Sequence, residues 1–191
     1  EPSEYYRVNT MGTMNLVDNI KTKHFIFAST SSAFEMKSPY ARSKVAAEDI
    51  IKEKADGYTI FRFFNVSGTD GINHQLGPAS HLIRRAAMAV NGKIDNLEIF
   101  GTDYDTRDGT AIRDYIHVLD LCDAIIAAID NGPMNTPYEC LGSKHGWTVR
   151  EVIDNMEEVT DSKINTIQSP RREGDAEICL VDNLSTLCNV T

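Results

Sequence analysis

None of the twelve glycines in this 191-residue chain falls into a G-x-G-x-x-G or G-x-x-G-x-x-G pattern. These residues therefore hold no glycine-rich turn of the kind that seats a pyrophosphate on a helix N-terminus. Cys122, Cys140, Cys179 and Cys188 show no C-x-x-C spacing, and the five histidines are scattered. Buried or incidental thiols fit that pattern better than a zinc site or a disulfide framework, and no metal is expected. No apolar run approaches the roughly eighteen residues needed to span a bilayer, and Glu1-Pro2-Ser3-Glu4 has no basic leader character. No membrane partner is expected, and a cytoplasmic location is the default expectation. Basic residues number 19 against 28 acidic ones, a formal charge of −9. No basic stripe is available to displace counterions from nucleic acid, so an anionic ligand must meet local arginines. With 41% hydrophobic and 25% charged residues, the chain has the composition of a globular protein with a sizeable core.

The chain is organised around Ser38-Pro39-Tyr40-Ala41-Arg42-Ser43-Lys44. Ser38 suits a helix N-cap and Pro39 the first helical position, which puts Tyr40 and Lys44 one turn apart on the same face. An ammonium beside a phenol favours the phenolate, so Tyr40 is a candidate general base. Just upstream, His24 to Ser32 reads as a short apolar strand ending in a run of small hydroxyls. Thr30 then sits at a strand's carboxyl end, where open α/β sheets hold ligands, although such runs also serve as ordinary turns. Strand, hydroxyl cluster and helix bearing Tyr-x-x-x-Lys together resemble the short-chain dehydrogenase/reductase superfamily.

In order, residues 4–21 read as a helix after a Ser3 cap, and the helix from Pro39 runs to about Lys54. Tyr58 to Val66 reads as one apolar strand, and the alternation of strand and helix implies a doubly wound parallel sheet. After Gly68 come a broken loop, a helix from about Ser80 to Val90, a short strand at Leu97–Phe100 and a strand from Ile112 to Val118. A helix from Asp120 to Asp130, a strand at Pro137–Leu141, a capping box at Thr148–Glu151 opening a helix to Val159, and a strand at Lys163–Gln168 complete the pattern. The expected fold is α/β, a Rossmann-type sheet lacking its first strands, with a smaller substrate lobe. Residues 1–68 form the cofactor half and 69–191 mainly the lobe, with about 112–141 returning to the cofactor half.

The motifs Ile99-Phe100-Gly101-Thr102-Asp103-Tyr104, Asp108-Gly109-Thr110, Arg113 to Leu121 and Arg172-Glu173-Gly174-Asp175 narrow the likeness. Over nearly its whole length the chain resembles the UDP-glucose (UDP-galactose) 4-epimerases. The resemblance implies NAD as cofactor, UDP-hexose as substrate and a homodimer through helices such as 4–21 and 39–54. It implies that Tyr40 acts on the sugar 4-hydroxyl, Thr30 assists, and Lys44 binds the nicotinamide ribose and tunes the tyrosine. Asn9 and Phe64 match positions lining the NAD site. Asn65, His81, Leu82, Glu98, Ile99, Phe100, Arg113, Arg172 and Asp175 match positions that hold the UDP-sugar. Cys179 falls where the family carries either a bulky tyrosine or a smaller residue, so the small side chain implies room for an N-acetyl group.

Bland readings stand beside these. Arg113 and Asp114 read alternatively as a surface ion pair, Asn9 as a polar position on a helix face, His117 as a structural histidine, and Arg171 as solvated. The family's glycine-rich loop and acidic ribose-binding residue would precede Glu1, Thr30 and Tyr40 are only ten residues apart, and Thr191 stops before the family's usual last helix. A fragment with further unrepresented segments is the expected explanation. A shortened product that binds nucleotide sugars without catalysis is another, and a sibling dehydratase or decarboxylase using Glu35 is a third.

Overall fold

The computed structural model describes residues 1–182, 185 and 187. The chain opens with a long helical rod: α1 (Pro2–Tyr5), a π-helical segment (Tyr6–Met11) and α2 (Gly12–Asn19). Its N-cap is Glu1, with Pro2 in the first turn, and not Ser3 as the sequence suggests; proline's fixed φ starts the helix two residues earlier. β1 (Phe25–Thr30) follows, then a short 3₁₀ turn (Ser31–Phe34) and α3 (Pro39–Lys54). The Ser38 side chain caps α3 as expected, accepting from Ala41 N at 3.1 Å.

The apolar run after α3 is not one strand. β2 (Tyr58–Phe63) and β3 (Asn65–Ser67) are separate because the backbone changes partner at Phe64. β2 lies parallel between β1 and β6 (Glu139–Leu141), whereas β3 pairs parallel with β5 (Ile112–His117). Between β3 and β5 come α4 (Leu82–Val90) and β4 (Leu97–Phe100). α5 (Val118–Asn131) begins two residues before the expected Asp120, because the His117 side chain takes the capping role and accepts from Leu119 N at 3.2 Å. That ring also packs on Gly68, where φ is +89° and a Cβ would lie 2.1 Å from His117 Nε2. His117 is a structural histidine here.

β7 (Gly146–Thr148) pairs antiparallel with β5 and β9 (Ile178–Cys179) pairs parallel with it; neither was read from the sequence. α6 (Val149–Thr160) packs with α4 over β4, and β8 (Thr166–Ser169), shorter than the expected strand, pairs parallel with β4. One core joins Phe61, Ile116, Leu121, Ala124, Ala128 and Leu141 between the first sheet and α5. A second joins Ala86, Leu97, Ile99, Ile153 and Ile164. Each large side chain buried in this way contributes about 1.5–3 kcal/mol. Among the described residues no helix is long and apolar enough to cross a membrane. Cys122 is exposed, Cys140 buried and Cys179 half-buried, all free thiols, and Cys188 lies outside the described residues.

The capping box on α6 forms in full: Glu151 N donates to Thr148 Oγ1 at 3.0 Å and Thr148 N to Glu151 Oε2 at 2.9 Å. Arg107 grips the same carboxylate, Nε to Oε1 at 2.6 Å, and chiefly through this bond holds the Glu151 pKa down to about 2 from 4.5. A carboxyl whose folded-state pKa is depressed stabilises fully above its unfolded value and loses that contribution as pH falls through the folded one. The window here runs from about pH 4.5 down to about 2. Glu151→Gln is therefore expected to flatten the acid limb of a stability–pH curve measured by chemical denaturation. Because the carboxylate is about one-third exposed, the change is modest. An acid limb identical to the parent's would overturn the assignment.

Candidate functional site

The carboxyl end of β1 and the first turns of α3 form one half of the site. Lys44 Nζ donates to Ala28 O at 3.0 Å and lies 4.8 Å from the Phe27 ring centroid. Burial lowers its pKa from the ordinary 10.5, opposed by the Glu48 carboxylate one turn along. Thr30, two residues beyond Ala28, is buried, and its Oγ1 accepts from Ser32 N at 3.2 Å. Tyr40 lies one helical turn before Lys44 and packs edge-on against Tyr5, ring centroids 5.7 Å apart. Among the described residues, no hydrogen bond joins the Tyr40 hydroxyl to Thr30 or Lys44. The π-helical segment faces this turn. Asn9 Nδ2 donates to Ser43 Oγ at 3.0 Å, Thr10 Oγ1 donates to Ser43 O at 2.9 Å, and Ser43 Oγ donates to Tyr40 O at 2.7 Å. Asn9 is therefore tied to the residue just before Lys44.

A buried ion pair beneath α3 escaped the sequence reading. Glu48, fully buried, takes Arg62 Nε on Oε1 at 3.0 Å and Nη2 on Oε2 at 2.7 Å, and Ser29 Oγ donates to Oε1 at 2.5 Å. The guanidinium lies 3.8 Å from the Tyr138 ring centroid and 4.7 Å from that of Phe34. The pair fixes α3 to β2, and a charged residue inside each of two apolar runs was its only trace in the sequence.

Two adjoining cavities complete the site. The larger, about 680 Å³, opens beyond the strand ends and is walled by Ser31, Glu35, Phe64, Tyr138 and Cys179 among others. The smaller, about 220 Å³, gathers His81, Leu82, Glu98, Phe100 and Arg172, and both share Asn65, Arg113 and Asp175. Thr30, Tyr40 and Lys44 are in neither wall, and Ile99 is packed in the core below the smaller cavity. Arg113 is anchored by Ile112 O at 2.9 Å and stands 4.0 Å from Asp175, and Arg172 stacks on Phe100 at 3.7 Å. Three guanidiniums, from Arg85, Arg113 and Arg172, face two carboxylates, from Glu98 and Asp175. Despite the chain's acidity, this cavity is locally cationic. Burial pushes the Tyr115 phenol up to about 12 and raises the Cys179 thiol, so neither carries charge at neutral pH.

Asp114 does not pair with its neighbour Arg113. Alternation along β5 sends the two side chains to opposite faces. Fully buried, Asp114 accepts from Ser143 N at 2.6 Å, Ser143 Oγ at 3.0 Å, Lys144 N at 3.0 Å and Val181 N at 3.2 Å. It thereby fixes the backbone beside Cys179. Asn65 Nδ2 donates to Asp114 O at 3.0 Å. Arg171 is not simply solvated, since it stacks on Tyr104 at 4.0 Å and binds Asp103 at 2.8 Å.

Residues 1–140 match the model of the NAD dependent epimerase/dehydratase family. The UDP-glucose 4-epimerase of Rhizobium meliloti is 34% identical over 96% of this chain and 64% of its own length. That of Azospirillum brasilense is 35% identical over 92% of this chain and 58% of its own. Among solved structures, the UDP-glucose 4-epimerase of Bifidobacterium longum in complex with NAD+ and UDP is similar with a TM-score of 0.87 and 29% identity. It is covered to 62%, and this chain to 95%. The Brucella ovis UDP-glucose 4-epimerase in complex with NAD gives 0.81 and 32%, with 95% of this chain and 64% of that one covered. The fold is the Rossmann-type α/β fold of these proteins, and the chain spans about 58–64% of the length of these relatives.

Proposed function

Because the chain belongs to the NAD dependent epimerase/dehydratase family, we propose that it serves in a UDP-hexose 4-epimerase. The observation that carries the reading is the smaller cavity. Eight of the ten residues named for nucleotide-sugar binding line it: Asn65, His81, Leu82, Glu98, Phe100, Arg113, Arg172 and Asp175. A diphosphate suits Arg113 and Arg172, whose planar forks match phosphate oxygens, and Asp175 accepts from sugar hydroxyls. The larger cavity beside it leaves room for a hexose to turn. Cys179 in its wall is small enough to admit an N-acetyl group.

Tyr40 takes the proton of the 4-hydroxyl and later returns it; together with loss of a hydride from C4 this gives a 4-keto sugar, and return of the hydride leaves no net redox change. The half-buried Lys44 ammonium stabilises the phenolate, because attraction between charges strengthens away from water. Thr30 shares the sugar hydroxyl. Lys44 and Asn9, both held at the end of β1 and α3, suit the nicotinamide ribose end of NAD, while no glycine-rich turn here suits its pyrophosphate. NAD, when bound, supplies the acceptor and donor of the hydride at C4. The proposal includes a cytoplasmic location and a homodimer through the outer face of the N-terminal rod, where Val8, Met11, Leu16 and Ile20 are exposed. It also assigns 1–68 to the cofactor half and 69–191 mainly to the substrate lobe, with about 112–141 back in the cofactor half; β6 beside β2 supports this.

Glu35 favours a second reading. It lies in the wall of the larger cavity, bound by Lys37 at 3.1 Å, where a dehydratase or decarboxylase needs an added acid. Incubating the intact protein with UDP-galactose and NAD separates these readings. UDP-glucose of unchanged mass is expected. Loss of water from UDP-galactose, or of carbon dioxide from a UDP-hexuronate offered in its place, would favour Glu35 chemistry, and UDP-sugar binding without any conversion would indicate a non-catalytic binding module.

A further inference from the structure

Lys44 meets opposing demands. Its amine is half-buried, which disfavours the ammonium, yet the proton transfer proposed for Tyr40 needs that positive charge beside it. Among the described residues, the one charge that acts on Lys44 is the Glu48 carboxylate, a single turn along the same face of α3. Glu48 is fully buried. A buried ion pair is seldom better for stability than an apolar pair of similar volume, so anchoring α3 to β2 does not by itself account for a carboxylate at this position.

The other contacts of Glu48 lead back to the same lysine. Ser29 Oγ donates to its Oε1 at 2.5 Å, and Ser29 follows Ala28, whose carbonyl accepts from Lys44 Nζ at 3.0 Å. Ser29 and Arg62 are register partners on β1 and β2, so one carboxylate ties both strands to the helix that carries Lys44. Arg62 supplies the countercharge through its two hydrogen bonds, and Lys52 Nζ stands 3.7 Å from Oε2. Charges on the other elements packed against α3 are spent elsewhere. β1 and the 3₁₀ turn carry none, and Glu35, just past that turn, is held by Lys37 at 3.1 Å. On the N-terminal rod Arg7 pairs with Glu4, and Asp18 pairs with Lys54 at 2.5 Å.

We propose that Glu48 is a positioning residue for the reaction, acting through Lys44 by placing a negative charge one turn from the ammonium and by fixing the Ala28 carbonyl that receives it. The inference rests on the epimerase reading of Tyr40 and Lys44. Two measurements on the intact protein test it. Competitive acetylation of Lys44 by acetic anhydride over a pH series, read by mass spectrometry, reports where the amine loses its proton and needs no turnover. The pH profile of kcat with UDP-galactose reports whether that proton matters. Glu48→Gln keeps the volume and an acceptor for Ser29 but removes the charge. Lys44 is then expected to titrate about one pH unit lower than in the parent, and the alkaline limb of kcat to move down with it. The stranded Arg62 cation would itself repel the Lys44 proton, so Glu48→Met combined with Arg62→Met is the second variant, in which no buried charge is left alone. The downward shift should persist there. A merely structural pair would change kcat or Tm and leave both titrations at their parental positions, which would overturn the inference with the epimerase reading intact. So would a Lys44 titration that moves while the alkaline limb of kcat stays. If the parent converts no UDP-galactose at any pH, the epimerase reading falls and takes the inference with it.

Discussion

Replacing Tyr40 with phenylalanine in the intact protein is expected to lower interconversion of UDP-galactose and UDP-glucose by roughly 10²–10⁴-fold, the usual contribution of a positioned proton-transfer group. The substitution removes one oxygen and little else. The ring keeps its edge-on contact with Tyr5, and the backbone carbonyl of residue 40 still accepts from Ser43 Oγ at 2.7 Å, so α3 keeps its place. The arginines proposed to hold the nucleotide come from other elements and line the smaller cavity, whose wall Tyr40 does not join, so UDP affinity should not move. A drop in kcat with an unchanged Kd for UDP is therefore the expected signature. Turnover left at the parental level would sink the role given to Tyr40. A parallel loss of UDP binding would mean that the site had been disturbed as a whole.

The largest effect on stability is expected at Glu48. Glu48→Ala leaves the Arg62 guanidinium, itself 7% exposed, without its bidentate partner and also strands Ser29 Oγ. Breaking a buried pair by removing one member costs about 3–5 kcal/mol. For a chain of this size that lowers Tm by roughly 6–20 °C, measurable by circular dichroism. The contact of Arg62 with the Tyr138 and Phe34 rings cannot offset the loss, because it balances no charge. Replacing both members by methionine should recover much of the difference, since an apolar pair of similar volume carries no desolvation cost. A Tm unchanged in Glu48→Ala would show that the pair contributes nothing to holding α3 on β2. The same carboxylate favours the charged form of Lys44, so the helix that carries the proposed chemistry is also the one this pair secures.

What was legible in the sequence had local causes. Ser38 and Pro39 announce α3, and Thr148 with Glu151 announces α6, because a cap and its partner lie within four residues of each other. Glu98, Arg113, Arg172 and Asp175 of the smaller cavity were legible as family-matched positions, though not as neighbours. The alternative of an Arg113–Asp114 ion pair fails for a physical reason: adjacency suggests it, whereas a strand turns successive side chains to opposite faces. The actual partners of Asp114 are 29, 30 and 67 residues away in sequence. β7 and β9 gave no periodic signal, having three and two residues, and exist because β5 offers them an edge. Arg85 carries no motif at all.

Residue order alone settled the α/β character, the caps of the two helices and the kinds of side chain available for a nucleotide sugar, since each follows from spacing within a turn or a strand. Long-range pairing decided the rest. Phe64 switches the chain from β6 to β5, and that switch brings Asn65 beside Arg113 and divides the space beyond the strands into two cavities. Buried charges such as Glu48 and Asp114 found partners on other elements, because a charge removed from water takes whatever donors the packed fold delivers, however distant they are along the chain.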